Sequence, residues 1–368
     1  MTEFIKGMDL STLPEVERCG GTFHDRGIPG DAVEILKGYG MNMVRLRLWN
    51  DPYSPQGAPY GAGTNDLPTT LAMARRLRRA GVPWLLDFHY SDFWADPGKQ
   101  NIPKAWAGLD AAGLTRAVYA YTRSVLEALA REQLLPQMVA VGNELTNGLL
   151  WPYGKTPNFQ NIAGFLNAGI RAVWEAAPEA KIMLHLDNGG NNALYRNWFD
   201  SYLAAGGLDF DCIGLSYYPF WHGTMEDLRH NLYDLAARYG KPLVIAEVSM
   251  GFTMEDYGSY EALAPENRKG MATKPALAAK VPYPMTPRGQ QRFMEDLMAL
   301  LKSVPGQLGA GFFYWEPAWL PVPGSGWATD AALAYTGEPG PGGNEWANQA
   351  LFDYAGNTLP ALESIRDF

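Results

Sequence analysis

Eight short apolar runs recur along the chain, and a longer amphipathic segment follows each of them. This alternation is typical of repeated strand–helix units with parallel strands. With no linker, low-complexity segment or change in composition, it predicts a single-domain (β/α)8 TIM barrel over residues 1–368, an α/β fold with long loops after strands seven and eight. The predicted strands span residues 4–9, 42–48, 83–89, 138–143, 181–186, 211–216, 242–247 and 309–315.

The segments between the strands have the 3.6-residue periodicity of helices that pack on a core, as in the apolar stripe within residues 114–129. Helix stop signals follow several of them, at Gly40, Gly81, Pro178, Gly240 and Pro305. The alternative α/β fold, an open doubly wound sheet, would need a glycine-rich phosphate-binding turn after an early strand. The sequence has no such turn, so the barrel is favoured.

The charge balance excludes some partners. Thirty Lys and Arg against 39 Asp and Glu leave a formal net charge of −9, whereas nucleic acids and anionic membranes need clustered basic residues. No apolar run reaches the roughly 18 residues of a membrane span, and the N-terminus has no signal-peptide pattern. We therefore expect no nucleic-acid or membrane partners. We also expect a monomer. We expect it in the cytoplasm, or secreted if a leader has been removed.

Tryptophans concentrate where the predicted strands end. In a TIM barrel the loops after the strands form the active site, and flat aromatic faces suit stacking on the apolar faces of sugar rings. The alternative is that these side chains only pack the loops together. The tryptophans in question are Trp49, Trp94, Trp106, Trp151, Trp221, Trp315, Trp319 and Trp327.

Two glutamates emerge at strand ends, Glu144 after strand four and Glu247 after strand seven, and Asn143 directly precedes the first. Glycosidic cleavage needs two carboxyl groups, one protonated and one ionised. A single strand-end glutamate is more often a salt-bridge partner, but the pair in these positions predicts a catalytic acid/base and a nucleophile. Glu316, after strand eight, is a third candidate, and we expect it to have a structural or rim role.

Charged residues also alternate along strands two and three. Arg45 shares a face with Arg47, and Asp87 shares one with His89, while the intervening leucines face the helices. These charges must pair inside the upper barrel. Two interpretations stay open: a buried ion network beneath the site, or direct contact of Arg45 and His89 with a bound sugar.

Other catalytic classes are not indicated. The five histidines show no metal-ligand spacing, and no paired-cysteine, HExxH, GxSxG or phosphate-loop motif occurs. We therefore expect no metal and no cofactor.

Several long motifs, taken in order, resemble the endo-β-1,4-galactanases of glycoside hydrolase family 53. The likeness runs nearly end to end. It includes GMDLS at 7–11, MVRLRLWN at 43–50, LLDFHYSDFWADPGKQ at 85–100, VGNE at 141–144, SYYPFWHG at 216–223, FYWEPAW at 313–319, GSGWA at 324–328 and NQALFD at 348–353.

The resemblance implies retaining hydrolysis of internal β-1,4-galactosidic bonds in galactan or type I arabinogalactan. Glu144 would then be the acid/base and Glu247 the nucleophile, with carboxyl groups about 5–5.5 Å apart. The further roles implied concern binding: Asn143 on the sugar 2-hydroxyl, Tyr217 (rather than Tyr218) orienting Glu247, Trp315 beneath the reacting sugar and Trp94 further along the cleft.

The chain departs from the family pattern in two places. Val248-Ser249-Met250 follows the nucleophile, where relatives usually have a small hydroxyl residue and then an aromatic. The segment from Met254 to Lys280 lacks the alternating Asp/Asn series of a calcium loop, so we expect no calcium there. The alternatives left open are a mannanase or glucanase with the same two glutamates, a galactan-binding protein without catalysis, and an enzyme that trims galacto-oligosaccharides.

Overall fold

In a computed structural model, which describes residues 3–255 and 274–368, eight parallel strands close into a barrel. Each strand pairs with its neighbours in chain order, and the first pairs with the last. The predicted TIM barrel is therefore confirmed. Its strands are β1 (Ile5–Asp9), β2 (Met43–Leu48), β3 (Trp84–Phe88), β4 (Met138–Val141), β5 (Lys181–Leu186), β6 (Cys212–Tyr217), β7 (Leu243–Val248) and β8 (Gly309–Tyr314).

Helices surround this barrel. They are α1 (Leu13–Arg18), α2 (Ala32–Gly38), α3 (Leu67–Ala80), α4 (Ala111–Arg131), α5 (Phe159–Ala176), α6 (Asn192–Ala204), α7 (Met225–Tyr239), α8 (Pro275–Ala278), α9 (Pro287–Ser303), α10 (Asp330–Thr336) and α11 (Ala361–Asp367). Two small antiparallel hairpins lie in the loops, Phe23–Asp25 with Ile28–Gly30 and Gly148–Leu149 with Gly154–Lys155.

Local sequence signals set the helix ends. The Asp66 side chain accepts a backbone N–H from the first turn of α3, and Thr224 forms a reciprocal capping box with Asp227 at the start of α7. The same two helices end at Gly81 and Gly240, which have φ of 67° and 63°. A side chain is strained in this left-handed conformation and glycine is not, so these stop signals act as predicted.

The strands bury both faces. Outward-facing residues pack on the helices, and inward-facing residues fill the barrel as a separate small cluster. Gly7 and Gly214 make room for this filling, because a Cβ on them would lie 2.3 Å from the Phe313 ring and 2.6 Å from the Met183 sulfur. The inner cluster consists of Ile5, Met43, Leu85, Met138, Ala140, Met183, Cys212, Val244, Ala246, Ala310 and Phe313.

The inner cluster occupies the lower barrel, so polar side chains take the inward positions at the carboxyl ends of the strands. The connections after β7 and β8 are long, as predicted. Residues 256–273 lie outside the described part, so the expectation of no calcium after β7 stays a prediction, as does the single domain over residues 1–368.

Among residues 3–255 and 274–368, no helix combines the length and apolar character that a membrane crossing requires.

Candidate active site

Two glutamates meet in one cleft at the carboxyl end of the barrel. One carboxylate oxygen of Glu144, one of Glu247 and a ring nitrogen of His185 lie within 4.8 Å of one another. Both glutamates are buried, with exposures of 9% and 6%. The cleft is lined by Arg47, His89, Trp94, Ala95, Asp96, Lys99, Asn143, Glu144, Tyr218, Glu247, Trp315, Trp327, Glu338, Glu345 and Trp346.

A β-bulge turns Glu247 into the barrel. Leu215 of β6 pairs with Ile245 of β7, but the next residue, Ser216, pairs with Glu247, so Ala246 is extra. Ala246 belongs to the inner cluster, and strict alternation would therefore point Glu247 outward. The bulge breaks this alternation and places the carboxylate in the cleft. Glu144 is placed differently, by a left-handed backbone with φ of 46°.

The surroundings of the two carboxyl groups differ. Glu247 accepts hydrogen bonds from Arg45 Nη2 at 2.7 Å and from the Tyr218 hydroxyl at 2.8 Å. Burial raises the pKa of Glu247 to about 7, and Arg45 and Tyr218 oppose that rise. Burial and the charge of Glu247 raise the pKa of Glu144 well above its usual range, and no Lys or Arg of the described residues forms an ion pair with it. Glu247 therefore ionises first, and Glu144 keeps its proton.

Arg45 lies beneath the cleft and links several polar side chains there. Its guanidinium bonds Asp9, Asp87 and the Asn143 Oδ1 as well as Glu247, and its exposure is only 1%. The side chain lies beneath the cleft and is absent from its lining. The structure thus favours the ion-network interpretation, because the Arg45 donors already serve carboxylates and the Asn143 amide. Direct contact of Arg45 with a sugar stays a prediction.

His89, in contrast, lines the cleft. Its Nδ1 accepts from Trp49 Nε1 and from the Ala95 backbone N–H, both at 3.1 Å, so the proton lies on Nε2, 3.1 Å from an Asp87 oxygen. Burial lowers the pKa of His89, so the ring is neutral. Sugar contact by His89 stays a prediction that this position allows.

Three of the eight loop tryptophans line the cleft, namely Trp94, Trp315 and Trp327. Trp94 is fixed by a 3.0 Å hydrogen bond from its Nε1 to the Trp327 carbonyl, and the Arg47 guanidinium carbon lies 4.3 Å from its ring centre. Trp49 and Trp319 are fully buried and act as packing, and Trp106, Trp151 and Trp221 are also absent from the lining.

Sequence reasoning missed Trp346, whose ring lies 4.7 Å from that of Trp315. It comes from the long connection after β8, far from any strand end, and no local pattern marks it.

The tyrosine prediction was wrong. Tyr218 bonds Glu247, whereas the Tyr217 hydroxyl donates to the Gly223 carbonyl at 3.1 Å, and the Tyr217 ring stacks on Phe293 of α9. The reason is the pleat of β6. Every second residue of β6 faces the barrel interior, namely Cys212, Gly214 and Ser216, and the next in this series is Tyr218. The period-two alternation in the sequence therefore already indicated Tyr218.

The third glutamate has the structural role expected of it. Glu316 is 1% exposed, pairs with Arg47 and accepts hydrogen bonds from Thr12, and it does not line the cleft. Asn143 does line it, and its Nδ2 donates to the Ala95 carbonyl at 2.9 Å.

Two further polar residues, Ser216 and His185, lie beside the pair and were not predicted. Ser216 Oγ lies 2.7 Å from Glu144 Oε1, and the His185 ring bonds both Ser216 and Asn143. Glu144, His185 and Glu247 are close enough to hold a metal ion. Both ring nitrogens of His185 already have protein partners, however, so these contacts account for the cluster without an ion.

The comparisons agree with this geometry and confirm the resemblance. The sequence matches the Glycosyl hydrolase family 53 profile over residues 5–365. A protein of Niallia circulans from the bgaB 5′ region is 41% identical, over 99% of this chain and 93% of its own length. The endo-beta-1,4-galactanase of Bacillus subtilis is 37% identical, over 98% and 85%. The GH53 catalytic domain of Ignisphaera aggregans superposes with a TM-score of 0.90 at 41% identity, over 99% and 96% of the two chains. The chain therefore belongs to glycosyl hydrolase family 53, and it is a glycoside hydrolase.

Proposed function

We propose that this enzyme hydrolyses internal β-1,4-galactosidic bonds of galactan or type I arabinogalactan with retention of configuration. Glu144 acts as acid/base and Glu247 as nucleophile. The observation that carries the proposal is the unequal pair of carboxyl groups in one cleft, with oxygens of the two within 4.8 Å and charge-stabilising donors on Glu247. Retaining enzymes hold the two groups about 5–5.5 Å apart, whereas inverting enzymes need about 6.5–9.5 Å to admit a water between them.

In the first step Glu247 attacks the anomeric carbon and the glycosidic C–O bond breaks. Arg45 and Tyr218 keep Glu247 ionised and aimed, since each donates to one of its two oxygens. Glu144 gives its proton to the departing oxygen, so the leaving chain departs as a neutral alcohol. The product is a covalent glycosyl-enzyme.

In the second step Glu144, now ionised, takes a proton from water, and the resulting hydroxide attacks the anomeric carbon from the face that the leaving group occupied. The bond to Glu247 breaks, and its carboxylate returns to Arg45 and Tyr218. Two displacements at one carbon restore the original β configuration.

Binding is assigned to the aromatic and polar lining of the cleft. Trp315 and Trp94 offer apolar ring faces to the sugar, and Asn143 is held within reach of the reacting sugar by Arg45 and Ala95. The choice of galactan rests on the names of the relatives, such as the endo-beta-1,4-galactanase at 37% identity.

The test is reducing-sugar release from β-1,4-galactan, mannan and a β-glucan by wild type, Glu144→Gln and Glu247→Gln, with Glu127→Gln, a half-buried residue on α4, as a control. We expect wild-type activity on galactan alone, intact activity in the control, and a loss of several orders of magnitude in both cleft variants. Activity on another glycan would keep the mechanism and change the substrate. A folded wild type that cleaves no glycan would refute the proposal.

Roles within the pair can be separated with azide. Glu247→Ala with azide and an activated aryl galactoside should form the α-galactosyl azide, and Glu144→Ala should form the β-azide, because only the latter retains the nucleophile. Exchanged products would reverse the assignment.

Early product lengths distinguish internal cleavage from oligosaccharide trimming, and size-exclusion chromatography tests the expected monomer.

A further inference from the structure

A continuous chain of buried hydrogen bonds links the two glutamates, and two of its residues, His185 and Ser216, have no part in the proposed mechanism. Arg45 Nη2 bonds Glu247 at 2.7 Å and the Asn143 Oδ1 at 2.9 Å. The same Oδ1 lies 2.9 Å from His185 Nδ1, and His185 Nε2 lies 2.8 Å from Ser216 Oγ. Ser216 Oγ in turn lies 2.7 Å from Glu144 Oε1. His185 and Ser216 are fully buried.

The direction of this chain follows from counting protons. A guanidinium can only donate, and the Asn143 Nδ2 donates to the Ala95 carbonyl at 2.9 Å, so the amide is oriented with Oδ1 toward His185. His185 Nδ1 must therefore carry a proton. Burial, together with the nearby Arg45, lowers the pKa of His185 to about 3, so the ring is neutral and its Nε2 has only a lone pair to offer Ser216.

Ser216 has one proton and two close partners. When Glu144 is protonated, its O–H donates to Ser216 Oγ and the Ser216 O–H donates to His185 Nε2, so every contact pairs a donor with an acceptor. When Glu144 is ionised, both partners of Ser216 are acceptors. The hydroxyl can then satisfy only one of them, and two lone pairs face each other at the second contact.

We propose that His185, acting through Ser216, is a positioning residue that favours the protonated form of the acid/base glutamate. This inference rests on the proposed function. Glu144 passes its proton to the glycosidic oxygen, and the Ser216 hydroxyl then turns from His185 to the new carboxylate. When Glu144 regains a proton from water, the hydroxyl returns to His185. The chain therefore favours the acid form between turnovers.

The test is the alkaline limb of the pH profile of kcat/KM on galactan, which reports the acid in the free enzyme. His185→Leu removes the acceptor that competes with ionised Glu144 for the Ser216 proton, so the limb should move down by about 0.5–1 pH unit, the size that one hydrogen bond supplies. The other titratable groups that act on Glu144 are Glu247, Asp187, Asp96 and Tyr218. They are the same in wild type and variant, so they do not account for a difference between the two limbs.

A double variant tests whether the effect passes through Ser216. Ser216→Ala removes the hydroxyl in both protonation states of Glu144, so adding His185→Leu to it should leave the limb where Ser216→Ala alone puts it. If Ser216 were a donor to the carboxylate whatever His185 does, His185→Leu alone would leave the limb in place. That result, or an equal shift from His185→Leu with and without Ser216, overturns the inference. Ser249→Ala is the matched control, because Ser249 is equally buried but bonds Gln349.

A comparison of substrates with different leaving groups separates this role from a merely structural one, which would lower kcat/KM equally on both. A dinitrophenyl galactobioside needs little protonation, so His185→Leu should lose much less kcat/KM on it than on galactan near the alkaline limb. Equal losses on both substrates would contradict the inference. If wild type fails on galactan, the proposed function fails. If wild type is active but the limb does not move down in His185→Leu, only this inference fails.

Discussion

Replacing Tyr218 by phenylalanine removes the hydroxyl that donates to Glu247 at 2.8 Å and leaves the ring in place. A hydrogen bond to a charged group is worth about 1.5–3 kcal/mol, and one pKa unit corresponds to about 1.4 kcal/mol. The pKa of Glu247, already raised to about 7 by burial, should therefore rise by a further ~1–2 units in Tyr218→Phe. Since the ionised form is the nucleophile, the acid limb of kcat/KM should move to higher pH by that amount.

The neighbouring tyrosine is the matched control. The Tyr217 hydroxyl donates to the Gly223 carbonyl and does not contact Glu247, so Tyr217→Phe should leave the acid limb where it is. Both profiles would be measured on galactan, with melting temperatures to confirm folding. An acid limb that moves in Tyr217→Phe and stays in Tyr218→Phe would refute the assignment of Tyr218 and the reasoning from the β6 pleat.

Further predictions concern stability. Glu316→Gln breaks the buried pair with Arg47, so the free energy of unfolding should fall by about 3–5 kcal/mol in thermal or urea denaturation, and an unchanged value would contradict the structural role. Gly148→Ala should destabilise the fold and lower activity, because its Cβ would lie 1.8 Å from the Gly154 carbonyl oxygen at a φ of 88°. Gly164→Ala, in the interior of α5 with open space around the new Cβ, should instead stabilise by about 0.5–1 kcal/mol.

Local sequence patterns predict much of the architecture. A strand that is buried on both faces reads as a short apolar run, and a helix on a core reads as a 3.6-residue stripe, so the eight units and their order could be predicted. Parallel strands in a barrel present their carboxyl ends together, and this was sufficient to expect Glu144 and Glu247 in one cleft. Period-two alternation also placed Arg45 and His89 inside, because the pleat depends only on neighbouring residues.

Side-chain partners were harder to predict. Alternation on β5 and β6 points His185, Ser216 and Tyr218 inward, but it does not say which carboxylate each one meets. Those contacts span 72 residues for Ser216 to Glu144 and 29 for Tyr218 to Glu247. They depend on the stagger between strands, which no local pattern contains.

The sequence by itself determined the barrel, the strand ends that carry chemistry and the two glutamates, since each follows from the spacing of nearby residues. Only the tertiary structure decided which group each glutamate meets. The bulge at Ala246 turns Glu247 inward against strict alternation, and strand register brings Arg45 and Tyr218 to it. Those contacts, together with burial, make the surroundings of the two carboxyl groups unequal and support their proposed roles as nucleophile and acid/base, because a pKa depends on the charges and donors that surround a group in space.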